Sequence, residues 1–420
     1  MRRETAAVKQ LSGLDASFLY METPTTYGHV NGLAIYERPS ADFDPYQAAY
    51  DRFDALLGRL EPMRRRLVEV PFNLDHPYWI DDPDFDLSYH VRHIGLAPPG
   101  GADQLAEQVA RIVGRKMDRT RPLWEAYVVE GLADGRWAML TKTHHATIDG
   151  ASGVLLLNIL TESTPDAPLP DRIEWTGEPI PSDRDLLDRT MRNLATNPIK
   201  GMRLSLRMVR NFAEAAGVDS MSAIVDQARG ALKSVAVGGQ VDTPEPTHRV
   251  RIPLSPAPPT PFNRTITPHR RFAMRSTSIG NIKALKDATG STVNDVVMAI
   301  CTGALREYLL RHDALPDEPL RAMVPVSIRT GLEEDPWTNR VGAIIADLPT
   351  NRADPLARLQ GCHDAMNEAK RQLDVLPADD IAELAQVAPP LAATAAMRLQ
   401  SRLRLADRVN LPTNVVISNV

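Results

Sequence analysis

His144 and His145 stand side by side, and Asp149 and Gly150 follow within the next five residues. A neutral imidazole titrates at about 6.5, so near neutral pH it can take a proton from a reacting group and return it. Asp149 could orient so short a turn through a hydrogen bond or a buried ion pair. Gly150 would permit a positive φ angle or a close backbone approach. Two histidines and an aspartate are also plausible zinc ligands. Adjacent histidines point in divergent directions, however, and helical zinc sites favour a spacing of four. No other cluster of Cys, His and carboxylate in the sequence completes such a site, so no metal is expected. The plainer alternative, polar decoration of a solvated turn, sits badly with apolar segments on both sides.

Those flanking segments must position the histidines. Residues 137–143 (WAMLTKT) read as a strand, with Gly135 as a turn before it. Residues 151–160 (ASGVLLLNIL) are too apolar for a loop and predict a buried helix. The histidines therefore lie where a strand hands over to a helix, on a short segment held at both ends. Upstream, Pro122, Leu123, Trp124 and Glu125 form a rigid lead into a strand at 126–129, and 103–117 carries helical spacing through Leu105, Val109, Ile112 and Val113.

The totals bound the rest. The 420 residues suffice for two or three domains, and 48 basic against 53 acidic residues imply no nucleic-acid partner. Two cysteines, Cys301 and Cys362, cannot build a disulfide framework and suit a reducing cytoplasm. The N-terminus has no apolar run of a secretory signal, and no uninterrupted apolar stretch reaches the roughly 18 residues of a spanning helix. Any membrane contact is expected to be peripheral, on the inner membrane face or lipid bodies.

Along the chain, helices are predicted at 46–60, 279–287, 292–312 and 354–373, with an Ala-rich helical stretch to 406. Strands are predicted at 76–80, 87–91, 272–277, 321–326, 341–348 and 414–420. Residues 165–184 read as a linker, and 186–233 as basic amphipathic helix, either a plain surface helix or an attachment to an anionic lipid surface. The expected organisation is an N-terminal domain at 1–164, a linker with basic helices at 165–250, and a C-terminal domain at 251–420. Asn294 and Asp295 open the helix at 292–312, where their side chains can cap its free amides.

HHATIDG at 144–150 resembles the His-His-x-x-x-Asp-Gly signature of the superfamily that holds chloramphenicol acetyltransferase, carnitine acyltransferases and peptide-synthetase condensation domains. The remaining motifs resemble the bacterial wax ester synthase/diacylglycerol acyltransferase family, nearest the actinobacterial triacylglycerol synthases. They are LSGLDASFLYMETPTTYGHV from Leu11, PLWE from Pro122, PPTPFNRTITPHRRFA from Pro258, VNDVVMA from Val293, MVPVSIRT from Met323, NRVGAIIADLPT from Asn339 and PTNVVISNV from Pro412. The family pattern continues past Ser-Asn-Val with Pro-Gly-Pro, whereas this chain stops at Val420, so the resemblance implies an incomplete second domain.

The resemblance implies a mixed α/β (α+β) fold of two chloramphenicol acetyltransferase-like domains, each a mixed sheet flanked by helices, with a tunnel between them. It implies transfer of a fatty acyl group from acyl-CoA, a substrate rather than a cofactor, to diacylglycerol or a long-chain alcohol, with no cofactor. His145 would be the general base, His144 an assisting or loop-holding residue, and Asp149 a structural residue paired with an arginine such as Arg329. Asn294 and Asp295 would support the site or cap their helix; Pro122, Leu123 and Trp124 would pack or shape the acyl tunnel. Arg270, Arg271 and Lys283 would be solvated or meet CoA phosphates. Two alternatives stay open: an idle relative that binds acyl-CoA or lipid, and a condensation-type enzyme acting on carrier-bound substrates.

Overall fold

A computed structural model describes residues 8–162, 164, 167–193, 255–329, 337–371 and 390–419. The first half is built on a four-stranded sheet in the order β2 (His29–Tyr36), β7 (Trp137–His144), β6 (Trp124–Glu130), β5 (Val91–Gly95). β7 runs antiparallel to both neighbours, with His29 opposite His144 and Trp124 opposite Thr143, and β5 is parallel to β6. A small antiparallel sheet of β1 (Lys9–Gln10), β4 (Tyr78–Asp81) and β3 (Arg65–Val68) stands beside it.

Period-two alternation gives the main sheet two buried faces. On one, Tyr127, Val129, Ala138 and Leu140 meet Leu105, Val109 and Ile112 of helix α3 (Ala102–Val113). On the other, Trp124 and Ala126 meet Phe53, Leu56 and Leu57 at the end of α2 (Pro45–Leu56), with Leu156 of α4 (Gly150–Leu160). Helix α1 (Gly13–Tyr20) packs Leu19 and Ala16 against Leu67, Trp79 and Leu123. The second half holds a three-stranded sheet of β10 (Val415–Val416), β8 (Leu320–Ser327) and β9 (Val341–Leu348). Leu320, Ala322 and Val324 face Met298 and Leu309 of α6 (Val293–Arg311) and Cys362 and Met366 of α7 (Pro355–Lys370). Helices α5 (Ile279–Thr289) and α8 (Pro390–Arg402) complete the labelled elements. Both cysteines are free.

Several expectations are revised. Residues 87–91 are not a strand: Leu87–His90 is one helical turn, capped by Asp86, and the strand begins at Val91. Residues 272–277 have no regular secondary structure and lie in no ladder among the described residues. The strand at 414–420 shrinks to Val415–Val416. Helix α4 is only partly buried, covering Ser152 and Leu156 while Val154 and Leu157 stay exposed, because one helical face meets the sheet and the sequence is apolar on all of them. The stretch 167–182 is irregular but packed. Glu178 N–H donates to the Asp81 carbonyl (2.9 Å), and Trp175 meets Phe85 edge to face, so this piece of the linker lines the edge of β4. The basic helix is described only over 183–193, and the rest of it falls outside the described residues. Among the described residues no helix is long and apolar enough to cross a membrane.

Burial of neutral histidines makes this fold acid-sensitive. His90 has no exposed surface, bonds the Trp124 carbonyl through Nδ1 (2.7 Å) and stacks on that indole at 4.5 Å. Burial pulls it down to about 4, and partial burial, with Lys142 nearby, takes half-buried His29 also to about 4. The unfolded chain binds those protons first, at about pH 6.5, so stability is intact above that pH and is lost as pH falls toward 4. A urea midpoint that drops over this window in the wild type, and drops less in His90→Gln, is the expected result. An equal drop in both would count against it.

Candidate active site

β7 brings the histidines to the end of the sheet. Ala138, Leu140, Lys142 and His144 alternate onto the face that carries α3. Lys142 is buried, and its Nζ donates to the carbonyls of Arg115 (2.6 Å) and Ile112 (3.5 Å), joined by His29 Nε2 at the Val113 carbonyl (2.9 Å). A cation at a helix C-terminus satisfies carbonyls that the helix cannot. This bolts α3 to the sheet beside the histidines.

His144 is fully enclosed, with 1% of its side chain exposed. Its N–H donates to the Leu123 carbonyl (2.9 Å), and its Nδ1 accepts from Ala146 N–H (3.0 Å). A neutral ring whose Nδ1 accepts carries its proton on Nε2. That nitrogen faces Glu22 Oε1 at 3.3 Å. Burial holds the His144 imidazole below its ordinary range, so the neutral form is the resident one. Both ring nitrogens are thus committed.

His145 leaves the strand, and its ring is half-buried, stacked on Phe18 of α1 with centroids 4.8 Å apart and 17° between planes. Its backbone is held from both sides: N–H to the Gly28 carbonyl (2.7 Å), and carbonyl from Asn339 Nδ2 (2.7 Å). Nδ1 is buried without a hydrogen-bond partner among the described residues. Burial, and then His144 next door, lower its proton affinity, keeping it unprotonated near neutral pH.

Asp149 caps α4, accepting from Ser152 N–H (2.8 Å). Both its oxygens meet Arg329 Nη2, at 3.0 and 2.9 Å, and Oδ2 also takes Arg340 N–H at 2.9 Å. Arg329 Nη2 contacts Ser152 Oγ and the Thr338 carbonyl as well. The ion pair with Arg329 that the resemblance implies spans the two halves. Of the two expectations for Gly150, the positive φ is not met. The glycine is the first residue of the helix and is not among the positive-φ glycines, so the turn does not use glycine's left-handed freedom.

Pro122, Leu123 and Trp124 are buried in packed cores. Trp124 stacks on Phe53 and donates Nε1 to the Met63 carbonyl, while Leu123 supplies the carbonyl that holds His144. Asp295 completes a capping box with Thr292 and accepts from His363 Nδ1 (2.8 Å); Asn294 contacts Asn419 (3.4 Å). Neither the Asp295 nor the Asn294 contact reaches the histidine loop. Arg270 lies over Tyr27 and donates to the Thr25 carbonyl.

Residues not singled out from sequence complete the site: Asp15, Phe18, Glu22, Gly28 and Asn339. Asp15 is buried, takes Ser12 Oγ (2.7 Å) and both the N–H and the side-chain amide of Asn339, which also holds His145. All five fall inside the motif blocks from Leu11 and from Asn339, the one signal that marked them. Behind the loop lies a cavity of about 310 Å3, lined in part by Ser12, Asp15, Ala146, Thr147 and Thr338. Among the described residues no group of three or more His, Cys, Asp or Glu is placed to hold a metal ion.

This arrangement of paired histidines, a capping aspartate and a cross-half arginine can be compared with known proteins. The wax ester synthase/diacylglycerol acyltransferase catalytic domain matches residues 11–297, and the WS/DGAT C-terminal domain matches 337–420. The chain belongs to the wax ester synthase/diacylglycerol acyltransferase family. A Mycobacterium tuberculosis relative, provisionally named a diacylglycerol O-acyltransferase, is 35% identical over 84% of this chain and 65% of its own length, just under two thirds. A second from that species, provisionally named likewise, is 33% identical over 98% of this chain and 81% of its own. The solved wax ester synthase/diacylglycerol acyltransferase from Marinobacter aquaeolei VT8 is 30% identical, covers 98% of this chain and 81% of its own, and superposes with a TM-score of 0.60. The mixed α/β fold expected from the motifs is therefore that of the family.

Proposed function

We propose that this chain transfers a fatty acyl group from acyl-CoA to the hydroxyl of diacylglycerol, of a long-chain alcohol, or of both. The observation that carries the reading is His145: an unprotonated, half-buried imidazole fixed by ring stacking and by both its backbone groups, in a chain of this family. The neutral ring carries one proton, and its other nitrogen holds the lone pair that works as the base. His145 takes the acceptor's hydroxyl proton as its oxygen attacks the thioester carbonyl. The tetrahedral intermediate collapses with loss of the CoA thiolate, which recovers that proton from the imidazolium. The ester and free CoA leave, and the base is regenerated without an acyl-enzyme. His144, with both nitrogens occupied, positions rather than reacts, and Asp149 with Arg329 holds the loop. The substrates bind in a tunnel between the two halves, and no cofactor takes part. Lipid contact is peripheral.

The test is product formation from radiolabelled palmitoyl-CoA with dioleoylglycerol and with hexadecanol. Labelled triacylglycerol or wax ester is the expected outcome. A folded chain that binds acyl-CoA yet forms neither would favour the idle lipid-binding relative.

A further inference from the structure

Glu22 is a buried carboxylate that no part of the proposed reaction uses. Only 2% of its side chain is exposed. Oε1 faces Gly28 N–H (3.1 Å) and His144 Nε2 (3.3 Å). Oε2 faces Arg119 Nη2 (2.8 Å) and Lys116 Nζ (3.3 Å), which follow α3 and line a small surface cavity of about 90 Å3 with Glu69. All four groups are donors, so only an acceptor with no hydrogen of its own satisfies them together. A carboxylate does, and an amide of the same shape does not.

The two contacts of Oε1 lead to His145 by separate routes. One fixes the Nε2–H form of His144, leaving Nδ1 free to hold Ala146 N–H. The other pins the N–H of Gly28, whose carbonyl holds His145 N–H. Gly28 admits no side chain here, since a Cβ would lie 2.7 Å from both His144 Nε2 and the Phe18 carbonyl.

We propose that Glu22 is a positioning residue for the acyl-transfer base: four converging donors hold its carboxylate, and the carboxylate sets both the His144 tautomer and the Gly28 carbonyl that aims His145. The inference rests on the function proposed above. Glu22 touches no reacting atom. The anchoring cations Lys116 and Arg119 are partly exposed, at 48% and 27% of their side chains, so the strut runs from the surface to the site.

The experiment compares the full chain with Glu22→Gln and Glu22→Asp by steady-state kinetics and by NMR of 15N-labelled histidine, the His144 signals assigned by their loss in His144→Gln. The wild type should show His144 protonated on Nε2. Glu22→Gln should lose that signature and lower kcat by about 100-fold, as a misplacement near 1 Å does, with KM changed less than about threefold. Glu22→Asp, still a pure acceptor, should keep the signature and recover about tenfold of the loss. Activity of Glu22→Gln within about threefold of wild type, or an unchanged His144 signature, would overturn the proposal. So would loss of native circular dichroism in both variants, which would make Glu22 a folding residue only. A wild type that forms no ester would defeat the function reading instead. The ring signature would then decide alone whether Glu22 fixes His144.

Discussion

His145→Ala should lower kcat by about 10³-fold, within the range that a positioned general base contributes. The backbone contacts of residue 145 survive the change, since the Gly28 carbonyl and Asn339 bond main-chain atoms. What disappears is the imidazole and its stack on Phe18, worth about 1 kcal/mol. The variant should therefore remain folded, with native circular dichroism and a slightly lower melting temperature. Ester formation above one tenth of the wild-type rate would remove His145 from the reaction. The contrast with His144 sharpens the test. His144→Ala takes away two buried hydrogen bonds and should cost both stability and rate, whereas His145→Ala should cost rate almost alone.

Asp149→Ala should be the most destabilising single change in the site. It leaves Arg329, 15% exposed, facing a cavity where two carboxylate contacts had been, and strips acceptors from Ser152 and Arg340 N–H. Breaking a buried pair on one side costs about 3–5 kcal/mol, and losing an N-cap about 1 kcal/mol. A domain stable by about 5–15 kcal/mol loses a large share of its margin. Urea unfolding measures it. The double variant Asp149→Ala/Arg329→Ala should lose less than the sum of the two singles, because the second change removes the stranded charge. Strict additivity, or a loss under about 1 kcal/mol for Asp149→Ala, would mean the pair is not coupled. If correct, loss of activity in Asp149→Ala says nothing about proton transfer by the acid.

The legible parts of this protein were those that local rules govern. Strand-like composition predicted β8, β9 and β7 nearly to the residue, and the Ser-Thr-Val-Asn-Asp run gave the start of α6, where Thr292 and Asp295 complete a capping box. Failures came where a segment's fate depends on a partner. Residues 272–277 have strand composition, yet no strand lies beside them among the described residues. Leu87–His90 has strand-like residues, but the Asp86 side chain caps a helical turn first. The Pro- and Glu-rich stretch at 167–182 reads as linker because composition cannot reveal that Trp175 and Glu178 find β4 and its neighbours.

The site divides in the same way. By itself the sequence determined which residue types stand at 144–150 and that a strand and a helix hold them, while the arginine partner of Asp149 came from the family resemblance. Only the tertiary structure decided the surroundings of the two histidines. Strand alternation turns His144 toward α3, where Glu22 and Ala146 N–H occupy its ring, and leaves His145 to stack on Phe18. It also decided the supports: Asp15, Glu22 and Asn339 lie more than a hundred residues away from the loop in sequence. Their partners are chosen by hydrogen-bond complementarity in three dimensions, and no spacing rule along the chain encodes that.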